Sequence, residues 1–204
     1  MKRFIIRDVL ILKAKGVPFS RVIYYKLILL ETKVWNVCYK WGDHKMPRKA
    51  RLFLNNAIYH AMARGNQKQL TFINEEDFVK YLDILKHYKR KYKFKLYGYC
   101  LMPNHVHLML EVEHGPDLGK IMQGLNQTYT IWFNHKYKKV GHLWQGRYKS
   151  KVVQKDGYLW DCIEYMETNP IRANISKSPF EYYWSSWKMR LGYQTDSLLD
   201  IPVL

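Results

Sequence analysis

The chain has 204 residues, 48% hydrophobic and 16% aromatic, which is enough for one sizeable core and too short for several domains. Lys and Arg number 34 against 17 Asp and Glu, and a net charge of +17 points to a polyanionic partner rather than a merely solvated basic surface. Cys38, Cys100 and Cys162 are widely spaced with no C-x-x-C pair, so they exclude a zinc ribbon or disulfide framework and suit a reducing, cytoplasmic setting. No run of about 18 apolar residues suggests a membrane span.

Residues 1–45 differ in character from the rest and carry no motif; Arg7, Asp8, Lys13 and Lys15 break the one stretch that resembles a signal peptide. Met46-Pro47-Arg48-Lys49-Ala50-Arg51 looks like the beginning of a protein, with a basic arm leading into a first strand. The expected organisation is an N-terminal extension over 1–45 outside the fold, a domain over 46–190 and a tail over 191–204. Residues 46–204 hold 24 basic and 14 acidic residues, so the basic argument survives without the extension.

Asn56 to Ala63 reads as a strand closed by Arg64-Gly65-Asn66. His60, within it, could share a sheet face with the histidines described below, although a satisfied strand histidine is the ordinary reading. A helix follows with Asn74 as N-cap and acids in its first turn; Phe78, Tyr81, Leu82, Leu85 and Tyr88 form its core-facing stripe. Its end interleaves Lys89, Arg90, Lys91, Lys93 and Lys95 with Tyr88 and Tyr92. This pattern suits a solvated helix end, or phosphate neutralisation with base stacking.

Leu96 to Met102 reads as a strand, and Pro103-Asn104 turns it into His105-Val106-His107-Leu108-Met109-Leu110-Glu111. On a strand, alternate residues share a side, so His105 and His107 project together while Val106 and Leu108 pack beneath. Two parallel imidazoles make half of a metal site, to be completed by one or two oxygen ligands. H-x-H alone is a weak signal, and hydrogen-bonded strand histidines are the commoner case.

A second helix is expected from Asp117, as N-cap, to about Tyr137, with Leu118, Ile121, Met122, Leu125, Tyr129, Trp132 and Phe133 on its apolar side. Gly141 to Lys151 combines glycines, an exposed-looking Trp144 and alternating cations, which suits an edge strand or a clamp on a nucleic-acid backbone. A third helix is expected over Asp156–Thr168, with Leu159, Cys162, Ile163 and Met166 inward and Asn169-Pro170 ending it. The aromatic tail Ser178–Trp187 is expected to pack over the core. The order βαββαβα gives an α+β fold, an antiparallel sheet with helices packed on it in a ferredoxin-like (RRM-like) arrangement.

Tyr165 and Asn169 stand four residues apart, on one helix face. If that face meets the histidine strand, Asn169 can offer an amide oxygen to a metal held by His105 and His107, with Tyr165 beside it; separately, a core tyrosine and a C-capping asparagine are the commoner finding. Met102-Pro103-Asn104-His105-Val106-His107-Leu108, Gly146-Arg147-Tyr148-Lys149 and Glu164-Tyr165-Met166-Glu167-Thr168-Asn169-Pro170-Ile171-Arg172-Ala173 together resemble the signatures of HUH single-tyrosine transposases. The resemblance covers about residues 46–190 and is closest to the REP-associated tyrosine transposase branch.

That resemblance implies an enzyme that cuts and rejoins single-stranded DNA. Tyr165 would be the nucleophile, leaving a 5′-phosphotyrosyl intermediate and a free 3′-OH, and His105, His107 and Asn169 would hold Mg²⁺ or Mn²⁺. The partner would be a hairpin in single-stranded DNA, engaged by a monomer or homodimer. Arg64, Lys89, Lys91, Arg147, Lys149, Lys151 and Arg172 are the candidates for backbone contacts. Tyr129 is the competing tyrosine, but the position four residues on is Phe133. Rival readings are a ferredoxin-like nucleic-acid-binding protein without catalysis, and a metal-dependent hydrolytic nuclease independent of Tyr165.

Overall fold

The computed structural model describes residues 53–154, 157–193 and 198–202, so the expectations for the 1–45 extension, a start at Met46, an Asp156 cap and Cys38 lie outside the described residues. Four strands and three main helices follow in the order β1 (Ala57–Arg64), α1 (Glu75–Tyr92), β2 (Lys95–Met102), β3 (His105–Val112), α2 (Asp117–Tyr137), β4 (Lys149–Val153) and α3 (Gly157–Glu167). Two short helices, α4 (Asn169–Arg172) and α5 (Trp187–Arg190), come after. The sheet is antiparallel with order β2-β3-β1-β4. This is the expected ferredoxin-like α+β arrangement.

Strand alternation divides the sheet into two unlike faces. Tyr59, Ala61 and Ala63 of β1, Tyr99 and Leu101 of β2, and Val106, Leu108, Leu110 and Val112 of β3 face one way. They close the core against Phe78, Tyr81 and Leu85 of α1 and Leu118, Ile121, Met122, Leu125, Tyr129 and Phe133 of α2. The residues between them, His60, Met62 and Arg64 on β1 and His105 and His107 on β3, face the other way, across from Lys149 and Lys151 of β4.

Local chemistry sets the helix boundaries. Asn74 and Asp77 form a capping box at the start of α1: Asp77 N donates to Asn74 Oδ1 at 3.3 Å, and Asn74 N donates to Asp77 Oδ2 at 3.1 Å. At α2 the expected cap is corrected, because Pro116 is the N-cap and Asp117 is already the first helical residue, with no side-chain cap. The third helix stops one residue early, at Glu167. Thr168 takes non-helical angles (φ −89°, ψ 3°), and Pro170, with no N–H to extend the ladder, belongs to the separate turn α4.

Helix α3 rests on the histidine face at β2. Gly98 makes this possible, since a Cβ there would meet Met166 Cε at 2.8 Å and Ile163 Cγ2 at 3.3 Å. Leu159, Cys162, Ile163 and Met166 are buried as the spacing predicts. The aromatic tail covers the outer edge of β2: Leu101 N donates to Trp184 O at 2.9 Å, Ser186 N to Tyr99 O at 3.0 Å, and the Trp184 ring stacks on Phe78 at 4.5 Å. An otherwise open edge strand is thereby closed. Glu167, fully buried at the end of α3, pairs with Arg190 and accepts from Ser186 Oγ, tying α3 to the tail and to α5.

Candidate metal and DNA-cleavage site

Pairing of β3 with β1 and β2 builds the floor of the site. His105 lies opposite Arg64 and Met102, and His107 opposite Met62 and Cys100. The His105 and His107 rings meet edge to face at 4.9 Å. His107 is buried, and His105 is half-buried. Burial, with Arg64 beside it, lowers the His105 pKa to about 4; burial, then His60, His105 and Arg172, holds His107 well below the usual imidazole range. Both rings are therefore neutral near pH 7, the state in which an imidazole nitrogen can bind a metal.

Each ring uses its Nδ1 in a hydrogen bond within the protein. His105 Nδ1 lies 2.6 Å from Asn104 Oδ1, and His107 Nδ1 lies 3.0 Å from His60 Nε2. His60 is itself buried, with its pKa lowered to about 4 by burial and by Lys151 across the β1–β4 pair. His60 is thus the satisfied strand histidine expected from its sequence position, and it shares the histidine face; no sequence signal reports its bond to His107. Asn104 has only a turn signal in the sequence, although it directly precedes His105.

Tyr165 and Asn169 lie at the junction of α3 and α4, both half-buried. Arg172 gathers them. Its guanidinium sits 3.7 Å from the centre of the Tyr165 ring, donates to the Tyr165 carbonyl, and donates to Asn169 Oδ1 at 2.5 Å. Because Oδ1 accepts from Arg172, the amide orientation is set, and Nδ2 is buried with no hydrogen-bond partner. Among the described residues, no three of His, Cys, Asp and Glu are grouped to hold a metal. Two neutral imidazoles with an amide oxygen nevertheless form a chemically reasonable nitrogen and oxygen set for a divalent ion.

Tyr129, the competing tyrosine, is a core residue. It is fully buried on α2, donates to Thr71 O at 2.6 Å, packs on Phe72, Tyr81 and Trp144, and has its pKa pushed up by burial. It belongs to the opposite side of the sheet from the histidines.

The seven candidate cations separate by face. Arg64 borders His105, Lys149 and Lys151 line the histidine face on β4 and are exposed, Arg172 sits at α4, and Arg147 is exposed in the loop entering β4. Lys89 and Lys91 lie instead on α1, across the sheet. Lys89 Nζ donates to Leu198 O at 2.7 Å and pairs with Asp200 at 2.8 Å, while Lys91 lies over the rings of Tyr88 and Tyr92. Trp144, expected to be exposed, is buried with Nε1 donating to Asn126 O at 3.1 Å, so the clamp reading of this loop loses its aromatic element.

The family described as IS200-like transposases matches residues 53–169. No curated protein matches the chain. Among solved structures, a REP-associated tyrosine transposase bound to a REP hairpin is similar over 76% of this chain and 95% of its own, with 13% identity and a TM-score of 0.62. A candidate transposase from Deinococcus radiodurans R1 matches over 60% of this chain and 97% of its own, with 22% identity and a TM-score of 0.41.

Proposed function

The chain belongs to the IS200-like transposase family and is a DNA transposase, and from that premise we propose that it cleaves and rejoins single-stranded DNA hairpins with Tyr165 as nucleophile. The Tyr165 oxygen would attack a backbone phosphorus. A phosphotyrosine bond forms as the bond to the 3′-oxygen breaks, leaving a 5′-phosphotyrosyl end and a free 3′-OH. A later 3′-OH reverses the step, and because the ester retains the bond energy no nucleotide is consumed.

The observation that carries this reading is the Arg172 cluster: one guanidinium touches both the phenol ring and the Asn169 amide, at the end of α3, the helix packed against the strand that pairs with the histidine strand. His105, His107 and Asn169 would hold a divalent ion, Mg²⁺ or Mn²⁺. Such an ion supplies charge stabilisation at the scissile phosphate when bound. Arg64, Lys149, Lys151 and Arg172 would neutralise the strand lying over this face, with Arg147 at its rim. Lys89 and Lys91, across the sheet, would contribute only to general attraction. Because α3 packs on the sheet of its own chain, the nucleophile would act in cis and a monomer would suffice. The buried cysteines Cys100 and Cys162 suit a reducing cytoplasm.

The deciding experiment incubates labelled hairpin DNA and Mn²⁺ with wild type, Tyr165→Phe and Tyr129→Phe, and resolves denatured products on a gel. Wild type and Tyr129→Phe should give a covalent adduct and Tyr165→Phe none. An adduct persisting in Tyr165→Phe would overturn the assignment. Cleavage by that variant with a free 5′-phosphate would point to a hydrolytic nuclease.

A further inference from the structure

We propose that His60 and Asn104 are positioning residues that keep the proton of each ligand histidine on Nδ1, so that both Nε2 lone pairs are available to one divalent ion. This rests on reading His105 and His107 as ligands. A neutral imidazole carries one N–H and one lone pair, and only the lone pair can bind a metal, so the tautomer decides whether a well-placed ring is a ligand at all.

The geometry at His105 has one solution. Asn104 Nδ2 donates to Lys68 O at 3.2 Å, which turns Oδ1 toward His105 Nδ1, 2.6 Å away. A carbonyl oxygen can only accept, so the His105 proton is on Nδ1 and its Nε2 is bare.

At His107 the 3.0 Å contact with His60 Nε2 has two solutions. If His60 donates, the only lone pair of His107 is spent in that bond and its Nε2 carries the proton. If His107 donates, His60 accepts at Nε2 with its own proton on Nδ1, and Nε2 of His107 is left bare. Only the second arrangement makes a ligand.

The β1–β3 register explains why this partner is built in. Met62 stands opposite His107 and His60 opposite Met109, so His60 is the diagonal neighbour of His107 on the same face, with ring centres 5.2 Å apart. At 7% exposure His60 is too enclosed to meet a DNA backbone, so contact with His107 is the role its position leaves open.

The test uses the full-length protein without DNA. Long-range ¹H–¹⁵N spectra of the metal-free wild type should show His105 and His107 both protonated at Nδ1; a His107 proton on Nε2 overturns the proposal whatever any variant does. Titration with Mn²⁺ alone should then show His60→Phe binding roughly 10–100-fold more weakly than wild type, the range for loss of a partner behind a metal ligand. His60→Gln, whose amide oxygen can accept in place of Nε2, should recover most of the affinity. A folded His60→Phe that binds Mn²⁺ like wild type sinks the positioning role alone. Unchanged Mn²⁺ binding in His105→Ala and His107→Ala sinks the ligand reading beneath it.

Discussion

The Arg172 guanidinium lies 3.7 Å from the centre of the Tyr165 ring while Nη2 donates to Asn169 Oδ1. One exposed cation thus ties the proposed nucleophile to the proposed third ligand across the helix break at Thr168, whose Oγ1 also accepts from Arg172 Nη1 at 3.0 Å. Arg172→Ala should slow adduct formation about tenfold, since it removes a cation–π contact and charge-assisted hydrogen bonds. It should also lower the salt slope of hairpin binding by about one. Arg172→Lys should recover the slope but not the rate, because an ammonium cannot stack and fork together. Single-turnover gels and salt titrations read the two separately, and an unchanged adduct rate in Arg172→Ala removes the coupling.

Gly98 is the seat of α3. The Cβ of Gly98→Ala would meet Met166 Cε at 2.8 Å and both Ile163 Cγ2 and Arg190 Nη2 at 3.3 Å, a crowding that the flexible Met166 and Arg190 ends can absorb, whereas the added methyls of a branched side chain would press further into all three. Gly98→Val should cost about 1–3 kcal/mol through overpacking. It should also cut adduct formation by at least about tenfold, the equivalent of about 1.4 kcal/mol in the barrier, while hairpin affinity by fluorescence anisotropy stays within about twofold. Equal losses in binding and cleavage would contradict this account of α3.

Tyr129→Phe separates a structural tyrosine from a chemical one. It leaves Thr71 O without the hydroxyl that now donates at 2.6 Å in a buried setting, so stability should fall by about 1–2 kcal/mol. The melting temperature should drop by several degrees with the adduct yield preserved.

Glu167→Gln should be more damaging, although the residue is outside the proposed chemistry. Its buried carboxylate holds Arg190 and Ser186, and breaking a buried pair from one side costs about 3–5 kcal/mol. Urea titration should show that loss. A variant as stable as wild type would mean that α3 is not anchored through this pair.

Acid should weaken the metal-free protein through its histidines. His60 and His105 fall from 6.5 to about 4 in the fold, so between those values the unfolded chain binds more protons than the folded one. Their contribution is complete above about pH 6.5, declines as pH falls and levels off below about pH 4. Asp77, held below its usual range by Lys136, Tyr137 and the Ile73 and Asn74 amides despite burial, extends the loss to lower pH. Melting curves at pH 7.5, 5.5 and 4.5 should fall in that order, and His60→Gln should flatten the slope. Equal melting temperatures at pH 7.5 and 4.5 would contradict it.

The sequence by itself determined β1 to β3, the three main helices and the two faces of β3, because alternation, helical spacing and the Asn74 cap are encoded within a few residues of one another; Gly141–Lys151 suited an edge strand or a clamp equally, and pairing with β1 sets the strand at Lys149–Val153. It placed His105 and His107 on one side and brought Tyr165 and Asn169 into one neighbourhood. The tertiary structure decided which groups were engaged. Lys89 is taken up by Leu198 and Asp200, Trp144 turns inward, Tyr129 bonds Thr71, and His60 reaches His107 through the β1–β3 register. Each of these contacts joins residues far apart in the chain, so no local spacing reports it; strand pairing and helix docking bring the partners together.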